Sequence, residues 1–400
     1  MSVARADGWL NLAISDIAVF GSGNLISVAR LSARSGSHPV PVYGGNGIAG
    51  YTSLAMIDQP TVILGRVGQK CGAVYRNDGP AWITDNALYA RRFKRPLDVQ
   101  FLAFALEVAR LNDVKNRNDL PLITQSILND VKIAWPDDPK EQRQIAGVMT
   151  DVDDLIASLE RMIAKKQAIK QGLMQQLLTG ETRLPSCTDP WHEVLLGKHL
   201  SYVKTVALSR AQLDGESPVC YLHYGDIHTR SSVTLDAAHE AMPRASSTLL
   251  GNAGWLQVGD LVFADASEDP DGVGKSVEVT SVPHAGLVPG LHTIAARFDK
   301  AVLADGFKAY LQFIPEFRDA LLRLVAGTKV LATTRSFISS ITLMLPGVDE
   351  QRAIASVIAD ADREIAVLRV RLAKARDVKQ GMMQELLTGR TRLPVTEGTA

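Results

Sequence analysis

The chain has 400 residues, enough for two or three domains with full cores. Its 43 Lys and Arg balance 43 Asp and Glu, and 46% of its residues are apolar, which excludes a disordered chain or a polycation. Cys71, Cys187 and Cys220 are odd in number and lack CxxC spacing, which argues against a zinc ribbon or a disulfide framework and fits a reducing compartment.

Residues 1–137 read as a mixed α/β unit. Thr61–Gly65 (TVILG) is a buried strand candidate, and Val99–Leu111 is the best helix, with Phe101, Leu102, Ala105, Leu106 and Ala109 on one side. Between them lie Gly- and Asn-rich loops: Tyr43 to Gly47 (YGGNG), Gly65 to Lys70 (GRVGQK) and Trp82 to Asn86 (WITDN). In the first, Gly45 and Gly47 let backbone approach a groove, Tyr43 flanks it, and Asn46 has the amide that pairs with adenine. An ordinary tight turn explains the same residues. In the second, Arg66 suits guanine or phosphate, with Gln69 and Lys70 beside it. Arg91 and Arg92 open the strongest basic run, RRFKR, a phosphate contact or a solvated face.

A long helix is expected over 138–185. Apolar residues fall at Ile145, Met149, Val152, Ile156, Leu159 and Ile163, then at Leu173 and Leu177, in the four-and-three alternation of a heptad seam. Lys166 and Lys170 interrupt it. Asp138 with Glu141 resembles a capping box, Pro139 suits the first helical position, and Gly180 then Pro185 mark the stop. About 40 residues make a rod of roughly 60 Å.

Residues 186–346 form a second unit. It has a strand candidate at Asp260–Ala264 and a helix near Phe307–Leu324. His223, Tyr224 and Asp226 are candidate base contacts or a buried hydrogen-bonded cluster. Residues 347–394 repeat the long helix, and 395–400 are a tail. QGLMQQLLTGETRLP at Gln171–Pro185 returns as QGMMQELLTGRTRLP at Gln380–Pro394, an offset of 209 (380 − 171). The same offset carries the seam onto Ile354, Ile358, Ala361, Ile365, Leu368 and Leu372. Gly172 and Gly381 align in mid-helix, where glycine costs roughly 1 kcal/mol against alanine. Close approach of a partner helix accounts for both, and so does a tolerated kink.

The repeat extends into the units. Leu120–Pro136 aligns with Val330–Pro346 at an offset of 210, bringing Thr124 and Ser126 onto Thr334 and Ser336, with Arg335 between them. These polar residues are candidate phosphate contacts or parts of strand packing. The rest of the two units has diverged almost beyond recognition. The fold expected is therefore α+β: two mixed α/β domains separated by two long helices that pair as an antiparallel coiled coil, with a pseudo-two-fold repeat. Antiparallel pairing follows because a parallel pair requires the intervening unit to carry the chain back along the whole rod.

At this point the chain resembles the specificity subunit of a type I restriction–modification system. The resemblance is carried by EQRQIAGVM at Glu141–Met149, KQGLMQQLLTG at Lys170–Gly180, VYGGNGIAGY at Val42–Tyr51, ILGRVG at Ile63–Gly68, AWITDNAL at Ala81–Leu88, LPLITQSIL at Leu120–Leu128, YLHYGDIH at Tyr221–His228 and EQRAIASVI at Glu350–Ile358. It implies two target-recognition domains, each reading half of a split site in double-stranded DNA. It implies helices that bind two modification (methyltransferase) subunits, and a complex that recruits an ATP-dependent restriction subunit. S-adenosylmethionine and ATP with Mg are then expected on the partners, and no cofactor on this chain.

The residues themselves point to a non-catalytic chain. Gly272-Val273-Gly274-Lys275-Ser276 lacks the first glycine of a phosphate loop, since Asp269 stands there. No NPPY or DPPY tetrapeptide is present, and Pro136-Asp137-Asp138 has no acidic-x-Lys partner at useful spacing. The beginning of the sequence lacks a basic-then-apolar signal pattern, and no run of about 18 apolar residues occurs, so a cytoplasmic protein without membrane contact is expected. Charge fits DNA unevenly. Residues 1–135 carry 14 Lys/Arg and 10 Asp/Glu (14 − 10 = +4), and 186–345 carry 13 and 17 (13 − 17 = −4). Two other readings stand beside the first: a coiled-coil scaffold joining two protein partners, and an S-like subunit of a fused restriction enzyme outside type I.

Overall fold

The computed structural model describes residues 8–114, 121–267, 269–325 and 331–393. The tail at 395–400, the stop residue Pro394, and Leu120 and Val330 at the heads of the matched segments lie outside them. The chain forms two compact units, 1–161 with 369–400, and 162–368. The long helices are Pro139–Leu178 and Val348–Leu386, and each contributes a segment to each unit.

In the first unit, Ala18–Ser22, Ala87–Phe93, Val62–Gly65 and Val74–Arg76 form a four-stranded sheet in that order. A three-stranded sheet places Val40–Gly44 between Gly47–Thr52, antiparallel, and Trp82–Ile83, parallel. Helix Val99–Val108 begins at Asp98, whose carboxylate accepts from the Phe101 amide at 2.8 Å. It ends before the predicted Leu111 because Arg110 is left-handed (φ 47°) and Leu111–Val114 starts a new turn. Trp9–Ala13 pairs antiparallel with Lys132–Pro136. Phe101 meets the edges of Trp9 and Trp135 with centroids 6.4 and 5.4 Å away.

That core continues into the helices. Ile145 and Met149 are fully buried in one cluster with Leu386 and Leu387. Each such side chain contributes about 1.5–3 kcal/mol. Asp153 pairs with Lys379 and Glu160 with Arg376, both at 2.7 Å, so the segments run antiparallel. Leu159 is buried, Val152 and Ile156 are half-buried, and Leu372 is half-buried beside buried Ala375.

The second unit repeats this plan. Its five-stranded sheet runs Leu200–Val203, Thr293–Phe298, Leu261–Ala264, Ser276–Ser281, Thr234–Asp236. Its three-stranded sheet places Val219–Leu222 between Arg244–Ala245, antiparallel, and Leu287–Pro289, parallel. His192–Leu195 pairs with Thr342–Leu345 as Trp9–Ala13 pairs with Lys132–Pro136. The duplication thus extends beyond the segment readable in sequence, with Thr234–Asp236 added as a fifth strand in the main sheet of the second unit. The helix expected near Phe307–Leu324 is two elements, a 3-10 helix Lys308–Phe313 and an α-helix Pro315–Val325. Pro315 disfavours helical geometry at Ile314 and so divides them.

Here too the helices run antiparallel. Leu177, Leu178, Ile354 and Ile358 share one core, and Ile163, Ile365 and Leu368 are buried. Lys166 and Lys170 do not weaken the seam. Their ammonium groups reach across to Glu364 and Asp362, each at 2.5 Å.

The helix termini explain the repeated motifs. Asp138 accepts from the Lys140 amide at 2.8 Å, but the predicted capping box does not close. Glu141 instead takes Arg392 in a two-pronged ion pair, 2.9 and 2.7 Å, and accepts from the Trp9 indole at 3.2 Å. The equivalent Glu350 takes Arg183 at 2.5 and 2.6 Å. Since 141 + 209 = 350 and 183 + 209 = 392, one clasp is the repeat of the other. Each helix ends at a left-handed glycine, Gly180 (φ 74°) or Gly389 (φ 71°), against which Trp191 or Trp9 packs. Gln142 and Gln351 are fully buried. Gln142 bonds Pro136 O and the Asp98 amide, and Gln351 bonds Pro346 O, Val302 O and the Ala304 amide.

Candidate nucleic-acid interface

Three of the predicted loops of the first unit come together. Gly45 and Asn46 form the turn of the hairpin, and Gly47 is left-handed (φ 98°). A Cβ at Gly45 would stand 3.0 Å from Asn86 O and 3.2 Å from Val67 O, and one at Gly65 would stand 2.4 Å from Gly45 O. These glycines let the hairpin tip touch the Arg66 and Asn86 loops. Arg66 donates to Ser22 Oγ at 3.0 Å, and Arg91 donates to Ser22 O at 2.5 Å while lying over the Tyr89 ring. Two guanidinium groups thus converge on one residue. Asn46, Gln69, Lys70, Asn86, Arg91 and Arg92 are exposed. The geometry gives this sheet end donors and positive charge.

Tyr43 does not join that surface. It is 8% exposed in a small core, and its hydroxyl donates to Arg76 O at 3.1 Å. Burial raises its pKa, with the Asp78 charge adding to the effect. Thr124 and Thr334 are helix N-caps rather than strand residues. Each Oγ1 accepts from an amide three residues on, at 3.2 Å, and meets the hydroxyl of Ser126 or Ser336 at 2.8 Å. Ser126, Thr334, Arg335 and Ser336 are exposed, and Arg335 lies over the Tyr202 ring.

In the second unit His223 and Asp226 turn inward. They cap helix Tyr224–His228 reciprocally: His223 Nδ1 accepts from Gly225 N at 3.1 Å, and Asp226 accepts from His223 N at 3.1 Å. Asp226 also takes Arg210 at 2.7 Å. Burial lowers the His223 pKa, and the Arg210 charge lowers it further, which favours the neutral acceptor. Both side chains are therefore engaged within the fold, and Tyr224 alone of the three stays available.

The loops correspond between units bond by bond. Arg66 N donates to Asn86 O at 3.0 Å, and Asp265 N donates to His292 O at 3.1 Å. Ile123 N donates to Arg66 O, and Thr333 N to Asp265 O. The bridge Val67–Leu122 becomes the short ladder Ala266–Ala332 and Ser267–Leu331. Asp265 therefore stands where Arg66 stands, and His292 where Asn86 stands. Sequence reasoning did not single out Ser22, Asn86, Asp265 or His292 as contacts. The equivalence is made by main-chain groups and leaves no mark in residue type.

This architecture defines a class: a duplicated chain with two domains of one topology, paired helices and unlike loops. Residues 6–171 match the model of the type I restriction modification DNA specificity domain. The chain is similar to two specificity subunits of type I restriction enzymes from Methanocaldococcus jannaschii. They are MjaVIII, 22% identical over 73% of this chain and 70% of that protein, and the MjaX protein, described as putative, 23% identical over 77% and 72%. The fold resembles the S subunit of a type I restriction–modification system from M. genitalium, with TM-score 0.65 and 14% identity over 97% of this chain and 98% of that one. It also resembles a chain of a type I R-M system solved for its complex assembly and conformational transition, with TM-score 0.56 and 13% identity over 98% and 100%. These likenesses are to type I restriction–modification DNA specificity subunits, and the family model itself covers residues 6–171. No helix among the described residues is long and apolar enough to cross a membrane.

Proposed function

We propose that each unit reads one half of a bipartite DNA site through its loop cluster, and that the paired helices hold two modification subunits and set the half-site spacing. The observation that carries this is the equivalence of Arg66 with Asp265 on one backbone scaffold. A guanidinium and a carboxylate at one position offer opposite hydrogen-bond patterns, as two different half-sites require. Methyl transfer from S-adenosylmethionine and ATP-driven cleavage belong to the partner subunits, and this chain supplies no catalytic group. The test is retention of random duplex DNA by the chain assembled with its modification subunits. The expected product is a split sequence with a fixed gap. Retention without sequence preference would favour a scaffold joining protein partners.

The spacing role has its own test. Four residues, about one helical turn, inserted after Gln167 and after Arg376 lengthen both helices by roughly 6 Å. The assembled complex is expected to prefer a longer gap between half-sites. An unchanged gap refutes the ruler.

Gly172 and Gly381 bear on the partners. A Cβ at either meets nothing within 4 Å, so packing within this chain does not require glycine there. Alanine at both positions is expected to raise helix stability by about 1 kcal/mol each, seen in thermal unfolding of the isolated chain. If a modification subunit seats against these glycines, the same double variant binds that subunit more weakly in titration.

A further inference from the structure

The second unit contains a cleft of about 860 Å³ at the place its topology shares with the loop cluster of the first. Tyr224, His228, Lys275 and His292 line it. The Tyr224 ring meets His228 and His292 edge to face, with centroids 6.1 and 5.3 Å away. Lys275 Nζ donates to His228 O at 2.5 Å, which sets its charge at the wall. Two carboxylates at the rim are engaged: Asp269 accepts from Gly272 N at 2.8 Å, and Asp271 takes Arg318 at 2.5 Å.

His292 combines three properties. Its backbone is left-handed (φ 56°), which a residue with a Cβ adopts at a cost, and such strain concentrates at functional sites. Its side chain is 53% exposed. Its Nδ1 lies 3.2 Å from Asp265 Oδ1. A carboxyl oxygen at that distance favours the tautomer with the proton on Nδ1, which leaves Nε2 for a ligand. In the neutral ring Nε2 is an acceptor.

We propose that this cleft is where the second domain takes its DNA half-site, and that His292, held by Asp265 and Tyr224, reads a base edge bearing an exocyclic amino group. Adenine N6 and cytosine N4 are the donors of that kind in the major groove. Asp265 acts here as a positioning residue. The net acidity of the unit is no obstacle, since the groups facing the cleft include Lys275 and two imidazoles. The proposal rests on the reading of the chain as a DNA-recognition subunit.

The experiment maps preferred sites on random duplex DNA with the assembled complex, for the unaltered chain, for His292→Asn and for His239→Asn. Asparagine tolerates the left-handed backbone and is the residue at the equivalent Asn86, so His292→Asn keeps the fold. The expected result is a change of about tenfold or more in base preference at one or two positions of the second half-site. The first half-site and the gap stay as they were. His239→Asn, an exposed change outside the cleft, leaves the whole site unchanged. An unaltered second half-site with His292→Asn overturns the assignment of this cleft while leaving the bipartite reading intact. A complex of the unaltered chain with no sequence preference overturns both.

Discussion

Expressed alone, residues 1–185 will sediment as an antiparallel homodimer. The fragment loses Leu386 and Leu387, which cover the fully buried Ile145 and Met149, so an apolar stripe is left in water. A second copy supplies what is missing, because Leu177 and Leu178 are the repeats of Leu386 and Leu387. The ion pairs are regenerated as well. Arg183 is the repeat of Arg392 and can take Glu141 of the other copy. Lys170 is the repeat of Lys379 and can take Asp153. Two links are lost: the partner of Glu160 becomes Gln167 in place of Arg376, and that of Lys166 becomes Leu155 in place of Glu364. The core and both clasps outweigh these exposed pairs, worth less than about 1 kcal/mol each. Arg183→Glu is expected to shift the fragment toward monomers. It removes a partner from Glu141 at two partly exposed clasps and sets a second carboxylate against it, at roughly 1 kcal/mol or more each, enough to weaken the dimer about tenfold or more. Glu141→Arg with Arg183→Glu should restore it. With modification subunits the dimer should select a palindrome built from the first half-site. A monomer in sedimentation, or an asymmetric mapped site, sinks the symmetry.

The second large effect is expected at Lys308. Its ammonium is fully buried, 2.6 Å from Asp305 and 4.0 Å from Glu278. Glu278 is buried too, and it accepts from the Gly306 and Ala309 amides at 2.7 and 2.9 Å. Lys308→Met leaves that carboxylate with two amide donors and no cation, at a cost of about 3–5 kcal/mol in urea unfolding at neutral pH. Burial already raises the Glu278 pKa, and loss of the lysine raises it further. The folded state then holds its proton more tightly than the unfolded state does. The destabilisation should therefore be full above the raised folded pKa and shrink as pH falls below it. Glu278→Gln combined with Lys308→Met should recover much of the loss. A single variant as stable as the parent at neutral pH would show that the pair contributes nothing.

The helices were legible in the sequence because each face answers to the same partner twice, so the same side chains recur 209 residues apart. Inside the two domains single elements were legible, the strands at Val62–Gly65 and Leu261–Ala264 and the helix at Val99–Val108, but their repetition was legible only at the junctions with the helices. Their strands are three to seven residues long in the main sheets, and some are buried on both faces, as at Val62–Gly65 and Leu261–Ala264. Such positions ask only for apolar residues, so identity drifts while register holds. Tyr43 and His223 looked like loop contacts because each borders a glycine-containing turn, where one residue decides between core and surface. Lys166 and Lys170 looked like breaks because a periodicity sees charge and not the length of the stem. Asp265 and His292 gave no signal, since their equivalence to Arg66 and Asn86 is written in amide and carbonyl groups.

Gln142 and Gln351 grip their domains through main-chain atoms. Gln142 uses Pro136 O and the Asp98 amide, and Gln351 uses Pro346 O, Val302 O and the Ala304 amide. A socket made of peptide groups is blind to the side chains of whatever domain occupies it. Any replacement domain that brings its backbone to the same place can be seated without altering either helix. In a recombining population this separates two kinds of inheritance. The helices with their clasps can be inherited as one part, and each domain as another.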